Sequence, residues 1–142
     1  MQAAVEREKP KLPPAASRWP AVVLVLYWCL LVYLVHTPMR GIHLPTHSQS
    51  DKVVHFLLYG GLAFWLALAA DAICGVPPRH AARWRRGMLI LLAVAVQGFA
   101  DEWTQPLTGR TYDLIDWASD LLGAAVCLGL YFTWRAKQFA AA

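Results

Sequence analysis

The sequence predicts an all-α fold, a four-helix transmembrane bundle with both termini cytoplasmic, and three observations carry that reading. Four apolar stretches approach the length of a membrane span. Of the 142 residues, 58% are hydrophobic and only 15% are charged, and the basic residues gather between the apolar stretches. A chain of this size with so few charges cannot cover an ordinary water-exposed surface, so its excess apolar surface calls for lipid. The net charge of +4 does not point to nucleic acid, because Lys and Arg sit in short connecting segments and form no continuous stripe. Cys29, Cys74 and Cys127 lie in or beside the apolar runs, with no CxxC pair and no even-numbered framework, and are assigned as free thiols.

Residues 1–18 contain Pro10, Pro13 and Pro14, which disfavour helix and leave a flexible basic cytoplasmic tail. The first apolar run covers residues 19–36. No small-x-small cleavage site follows it, so it is assigned as a retained helix and not a signal peptide. The other runs cover residues 53–73, 87–103 and 114–134. Each is close to the roughly 20 residues that carry a helix across a hydrocarbon core about 30 Å thick. The membrane domain so delimited is 19–134, followed by a short cytoplasmic tail at 135–142.

Orientation follows from the basic residues, since short loops rich in Lys and Arg stay in the cytoplasm. Arg7, Lys9, Lys11 and Arg18 precede the first run, Arg79, Arg83, Arg85 and Arg86 lie between the second and third, and Arg135 and Lys137 follow the fourth. The remaining connections, 37–52 and 104–113, hold only Arg40, Lys52 and Arg110 and are predicted to face outward. Trp19, Trp84, Trp103 and Trp134 fall at helix ends, where amphipathic rings favour the headgroup zone.

With that topology, the other ionisable residues converge on the outer face. Asp51, Lys52 and His55 open the second helix, Asp101 and Glu102 close the third, and Arg110, Asp113, Asp116 and Asp120 lead into the fourth. Asp51, His55 and Tyr59 recur every four residues and share one face. Asp113, Asp116, Asp120 and Gly123 follow a 3-4-3 spacing that stacks three carboxylates above a glycine. Asp120 lies about 10 Å further along its helix than Asp113. A charge near a helix centre costs roughly 2.5–3.5 kcal/mol on insertion scales, so this stripe must face protein or water. Gly60, Gly61, Gly98 and Gly123 mark places where helices approach closely. Asp71, near the cytoplasmic end of the second helix, is expected to be solvated.

The ordered set Asp51-Lys52-x-x-His55-Phe56, Asp101-Glu102-x-x-Gln105, Gly109-Arg110 and Asp116-x-x-x-Asp120-x-x-Gly123 resembles the VanZ-like family of bacterial integral membrane proteins, over roughly residues 20–133. The resemblance implies a multi-pass protein of the bacterial cytoplasmic (inner) membrane, associated with the cell envelope. The founding member is linked to low-level teicoplanin resistance, an antibiotic-resistance role. Two positions depart from the family pattern: Asp120 stands where Asn is frequent, and Thr104 where some relatives carry His. A mechanism that needs a neutral amide at 120 or a second imidazole at 104 is therefore not expected.

Two functions remain open on these residues. One is binding of an envelope lipid or lipid-linked cell-wall precursor in an outward-facing polar pocket, with Asp51, Lys52, Gln105, Arg110, Asp113 and Asp120 as substrate-binding residues. The other is an acid/base or metal-assisted enzyme with His55, Glu102 and Asp116 as catalytic groups. An unperturbed imidazole titrates near neutrality, so His55, oriented by Asp51 or Glu102, could act as general acid or base, or serve only as interhelical glue. No cofactor and no committed metal ligand are predicted, since HExxH and paired-His spacings are absent. A divalent metal on His55, Glu102, Asp116 and Asp120 is the alternative. Lys52 and Arg110 either neutralise the carboxylates or hold a phosphate. The partners expected are membrane lipids and a lipid-linked precursor, and no nucleic acid.

Overall fold

The computed structural model describes residues 18–37, 47–77 and 79–140. The tail at 1–17 and most of the first outer connection, including Arg40, lie outside the described residues. Among the described residues the fold is all-helical: α1 (Trp19–His36), α2 (His47–Cys74), α3 (His80–Thr104), a 3₁₀ turn (Gln105–Thr108) and α4 (Leu114–Ala140). Pro20 stands in the first turn of α1, where its missing N–H has no helical partner to lose. α2 begins before the second apolar run and takes in Asp51 and Lys52, as the 51-55-59 spacing requires. α4 continues past Trp134 through most of the segment assigned as a tail.

Three helices are long and apolar enough to cross a membrane: Trp19–His36, Ser50–Cys74 and Leu114–Gln138. α3 is less apolar, since it carries Arg83, Arg85 and Arg86 near its start and Gln97, Asp101 and Glu102 near its end. Leu26, Leu89, Leu122 and Leu130 lie more than half exposed around the bundle. That surface is suited to lipid, not water.

The core is small and mixes Ala with Leu, Val, Ile and Tyr. Leu31, Val35, Tyr59, Leu62, Ala63, Ala67, Val94, Ala124 and Leu128 are almost fully buried. α2 packs most extensively on α4, and glycines let the two backbones meet. A Cβ on Gly123 would run into the Phe56 carbonyl, and one on Gly60 would sit 3.1 Å from the Gly123 oxygen. This is the small-residue contact of membrane helices, where close approach substitutes for a hydrophobic driving force. A Cβ on Gly61 would collide with the Tyr27 hydroxyl, which donates to the Leu58 carbonyl at 2.8 Å and ties α1 to α2.

Asp71 departs from expectation. It is not solvated but 8% exposed, and its carboxylate joins three helices. Arg86 of α3 donates to Oδ1 at 2.6 Å, while Tyr131 and Arg135 of α4 donate to Oδ2 at 2.6 and 3.1 Å. An Asp facing a three-helix junction is buried by its neighbours and requires these donors. The sequence pattern places it near a helix end without showing that junction.

Candidate functional site

The opposite end of the bundle, where α1 and α3 finish and α2 and α4 begin, holds the other polar cluster. The two helical spacings place their residues as predicted: Tyr59, His55, Asp116 and Asp120 are buried between α2 and α4, with Asp51 partly exposed above them. Lys52 Nζ donates to Asp113 Oδ2 and Asp116 Oδ1, each at 3.1 Å. Arg110 donates to Asp51 Oδ2 at 2.7 Å and to the Val35 carbonyl at 3.2 Å, joining the end of α1 to the start of α2. Both cations therefore neutralise carboxylates. The turn that presents Arg110 depends on Gly109, whose φ of +82° is left-handed and free of strain only for glycine.

His55 is 1% exposed and Asp120 fully buried, and they face each other with Nδ1 2.9 Å from Oδ1. This differs from the expectation that Asp51 or Glu102 orients the ring. Asp120 lies one helical turn deeper on α4 than Asp116, level with His55 once the helices pack. Because a carboxylate accepts, Nδ1 carries the proton in the neutral ring and Nε2 keeps the lone pair. His55 Nε2 and Asp120 Oδ2 are buried without a hydrogen-bond partner among the described residues. Gly98 of α3 makes room for the latter, since a Cβ there would sit 2.8 Å from Asp120 Oδ2.

Glu102 is fully buried, yet it holds the turn together. Gln105 Nε2 donates to its Oε1 at 3.0 Å and the Asp113 backbone N–H to its Oε2 at 2.9 Å. Those bonds link the end of α3 to the start of α4 and leave His55 to Asp120. Gln105 is thus bound into the same turn. Asp113 caps α4, accepting from the Ile115 backbone N–H at 2.8 Å. That bond first, and Lys52 second, hold its carboxyl below the usual carboxylate range.

Two further contacts had no assigned role in the sequence reading. Tyr59 stacks beside the His55 ring at 6.1 Å between centroids and donates to Asp101 Oδ2. Gln97 donates to both oxygens of Asp101 at 3.0 Å. The four-residue spacing signalled that Tyr59 shares the His55 face, but not that Asp101 turns inward to meet it.

Among the described residues the cluster holds six carboxylates, Asp51, Asp101, Glu102, Asp113, Asp116 and Asp120, against two permanent cations, Lys52 and Arg110. One oxygen each of Asp51 and Asp116 and one nitrogen of His55 lie within 4.8 Å of one another, a ligand set from two helices that could hold a metal ion. Glu102 is outside this group, its oxygens committed to the turn. Instead of one open pocket, the arrangement is a partly exposed rim of Asp51, Lys52, Arg110 and Asp113 over a closed floor of His55, Asp116 and Asp120. A larger cavity of about 540 Å³ lies between α3 and α4 at the far end, lined by Gly87, Met88, Leu91, Leu128, Gly129 and Phe132 among others. It does not reach the cluster. Comparison with protein-family models, curated proteins and solved structures finds no match for this chain.

Proposed function

We propose that this chain is a VanZ-like protein of the bacterial inner membrane. In this reading α3 crosses the membrane with the other three helices, the termini are cytoplasmic and the polar cluster faces outward. There it binds an envelope lipid or lipid-linked cell-wall precursor and raises glycopeptide tolerance. The observation that carries this reading is the partly exposed rim of Asp51, Lys52, Arg110 and Asp113 above buried His55. It is a polar recess at the end of an apolar bundle, suited to a headgroup whose lipid tail lies along the helices.

A second reading, an acid/base enzyme on the same substrate, is favoured by one observation. His55 is oriented through Nδ1 by Asp120 while Nε2 has no partner among the described residues, the arrangement of a general base awaiting a proton to abstract.

The test uses His55→Gln, Arg110→Lys and Asp116→Asn in the host, scored by teicoplanin tolerance and membrane abundance. Each variant should lose tolerance at near-normal abundance, and a lipid that copurifies with the wild type should be depleted. Retained tolerance in all three would sink the functional reading. Turnover of a lipid-linked substrate by the wild type but not by His55→Gln would select the enzyme. Orientation is tested separately, with single cysteines at Ala82 and Thr108 in a background lacking the native three. Position 108 should react with an impermeant reagent in intact cells, and labelling of 82 alone would invert the topology.

A further inference from the structure

Resting on that reading, we propose that Asp51, His55 and Asp116 hold a divalent transition-metal ion, and that this ion receives the phosphate of the envelope lipid. The reading has an electrostatic difficulty that the ion removes. Lys52 and Arg110 are already engaged by Asp113, Asp116 and Asp51. A phosphate entering the rim would therefore meet a surplus of carboxylates, and like charges at close range repel.

The residues are arranged as ligands of such an ion are. Metal-bound histidines almost always give their second ring N–H to a carboxylate or carbonyl, which fixes the ring and raises its basicity. Asp120 occupies that place behind His55 at 2.9 Å. It leaves Nε2, buried and without a hydrogen-bond partner among the described residues, as the nitrogen open to a cation. The carboxylate ligands are supported in the same way, Asp51 by Arg110 and Asp116 by Lys52, each through one oxygen, so a second remains for the ion. Two donors about 2.0–2.2 Å from one ion stand at most about 4.4 Å apart. One donor atom of each residue already lies within 4.8 Å of the others, so side-chain rotations that turn Nε2 and the remaining oxygens to the ion close the set. One imidazole with two carboxylates suits Zn²⁺, Fe²⁺ or Mn²⁺ better than Ca²⁺ or Mg²⁺, which favour oxygen alone. Three protein ligands leave coordination positions for a phosphate oxygen.

Mn²⁺ is the probe. Full-length protein in detergent, stripped with chelator, should take up one Mn²⁺ per chain, with Zn²⁺ competing. Pulsed electron paramagnetic resonance should show coupling to an imidazole nitrogen. His55→Gln and Asp51→Asn should each abolish stoichiometric uptake, and Asp120→Asn should weaken affinity by about 10- to 100-fold through loss of the outer carboxylate. No nitrogen coupling in the wild type, a measurement that needs no variant to fold, would overturn the inference. Wild-type stoichiometry in both His55→Gln and Asp51→Asn would also overturn it, by showing an adventitious ion. The two proposals fail separately. Variants that lose tolerance while wild-type Mn²⁺ lacks nitrogen coupling would end the metal site and keep the function. Nitrogen-coupled Mn²⁺ with tolerance intact in His55→Gln would keep the metal site and end the function.

Discussion

The two ends of the bundle solve the same problem, ionisable groups buried among apolar helices, with opposite ratios of donors to acceptors. At one end a single carboxylate, Asp71, receives two arginines and a tyrosine. At the other, among the described residues, six carboxylates share two permanent cations, and His55 Nε2 and Asp120 Oδ2 have no hydrogen-bond partner. A saturated carboxylate has nothing left to offer a ligand and serves to join helices. The surplus at the other end is costly unless something else is bound there. The comparison separates a clamp from a site without appeal to any motif.

Breaking the clamp should have the largest effect. Asp71→Asn leaves Arg86 and Arg135, both mostly buried, without a counter-charge. Losing one partner of a buried pair costs about 3–5 kcal/mol, visible as lower membrane abundance and an earlier denaturation midpoint in detergent. A midpoint within experimental scatter of the wild type would show that the two ends do not differ as argued. Gly123→Ala comes next. Its new Cβ meets α2 backbone that cannot rotate away, so overpacking of about 1–3 kcal/mol or more is expected. Gly129→Ala, with nothing within 4 Å, should be close to neutral. Equal losses at the two glycines would refute the close α2–α4 contact.

His55→Gln should cost about 1–3 kcal/mol in the same assay, the range for leaving the buried Asp120 oxygen without its donor, while under the proposed function it should abolish tolerance. A loss as large as that of Asp71→Asn would make His55 part of the scaffold. A smaller effect is expected at Asp113. Asp113→Ala removes the α4 cap and should cost about 1 kcal/mol, while Asp113→Asn, an equally good cap, loses only the charge. Because the folded carboxyl titrates below its ordinary range, the advantage of wild type over Asp113→Asn is complete above that range. It declines as pH falls through the depressed Asp113 pKa. Thermal midpoints across that window should converge, and a gap that widened in acid would reverse the assignment.

What the sequence made legible was whatever one helix determines by itself. The 51-55-59 and 113-116-120-123 spacings specify faces, and both faces meet as expected. The Gln105-Pro106 to Gly109 turn likewise brings Arg110 to Asp51. Pairing between helices was not legible, because it depends on axial offset and rotation that no single-helix period encodes. His55 therefore pairs with Asp120 and not with Asp51 or Glu102, and Glu102 holds a turn. Asp71 was misjudged for the same reason: its partners lie on α3 and α4, distant in sequence. The proposed family membership rests on the quoted residue pattern alone.

Between Tyr59 and Asp71, α2 presents Leu62, Ala63 and Ala67 to Val94 and Ile90 of α3 and Ala124 and Leu128 of α4, all buried. In electrical terms this layer is a dielectric spacer. A voltage acts by about 2.3 kcal/mol per elementary charge per 100 mV only on charge that moves through the field. If the bundle spans the membrane as proposed, the field falls on the spacer, with one charged cluster on each side. Liposomes carrying the protein should hold a proton gradient as long as empty ones, and a leak abolished by Asp120→Asn would contradict this. A reagent confined to one side of such a membrane would then meet one cluster, but not both.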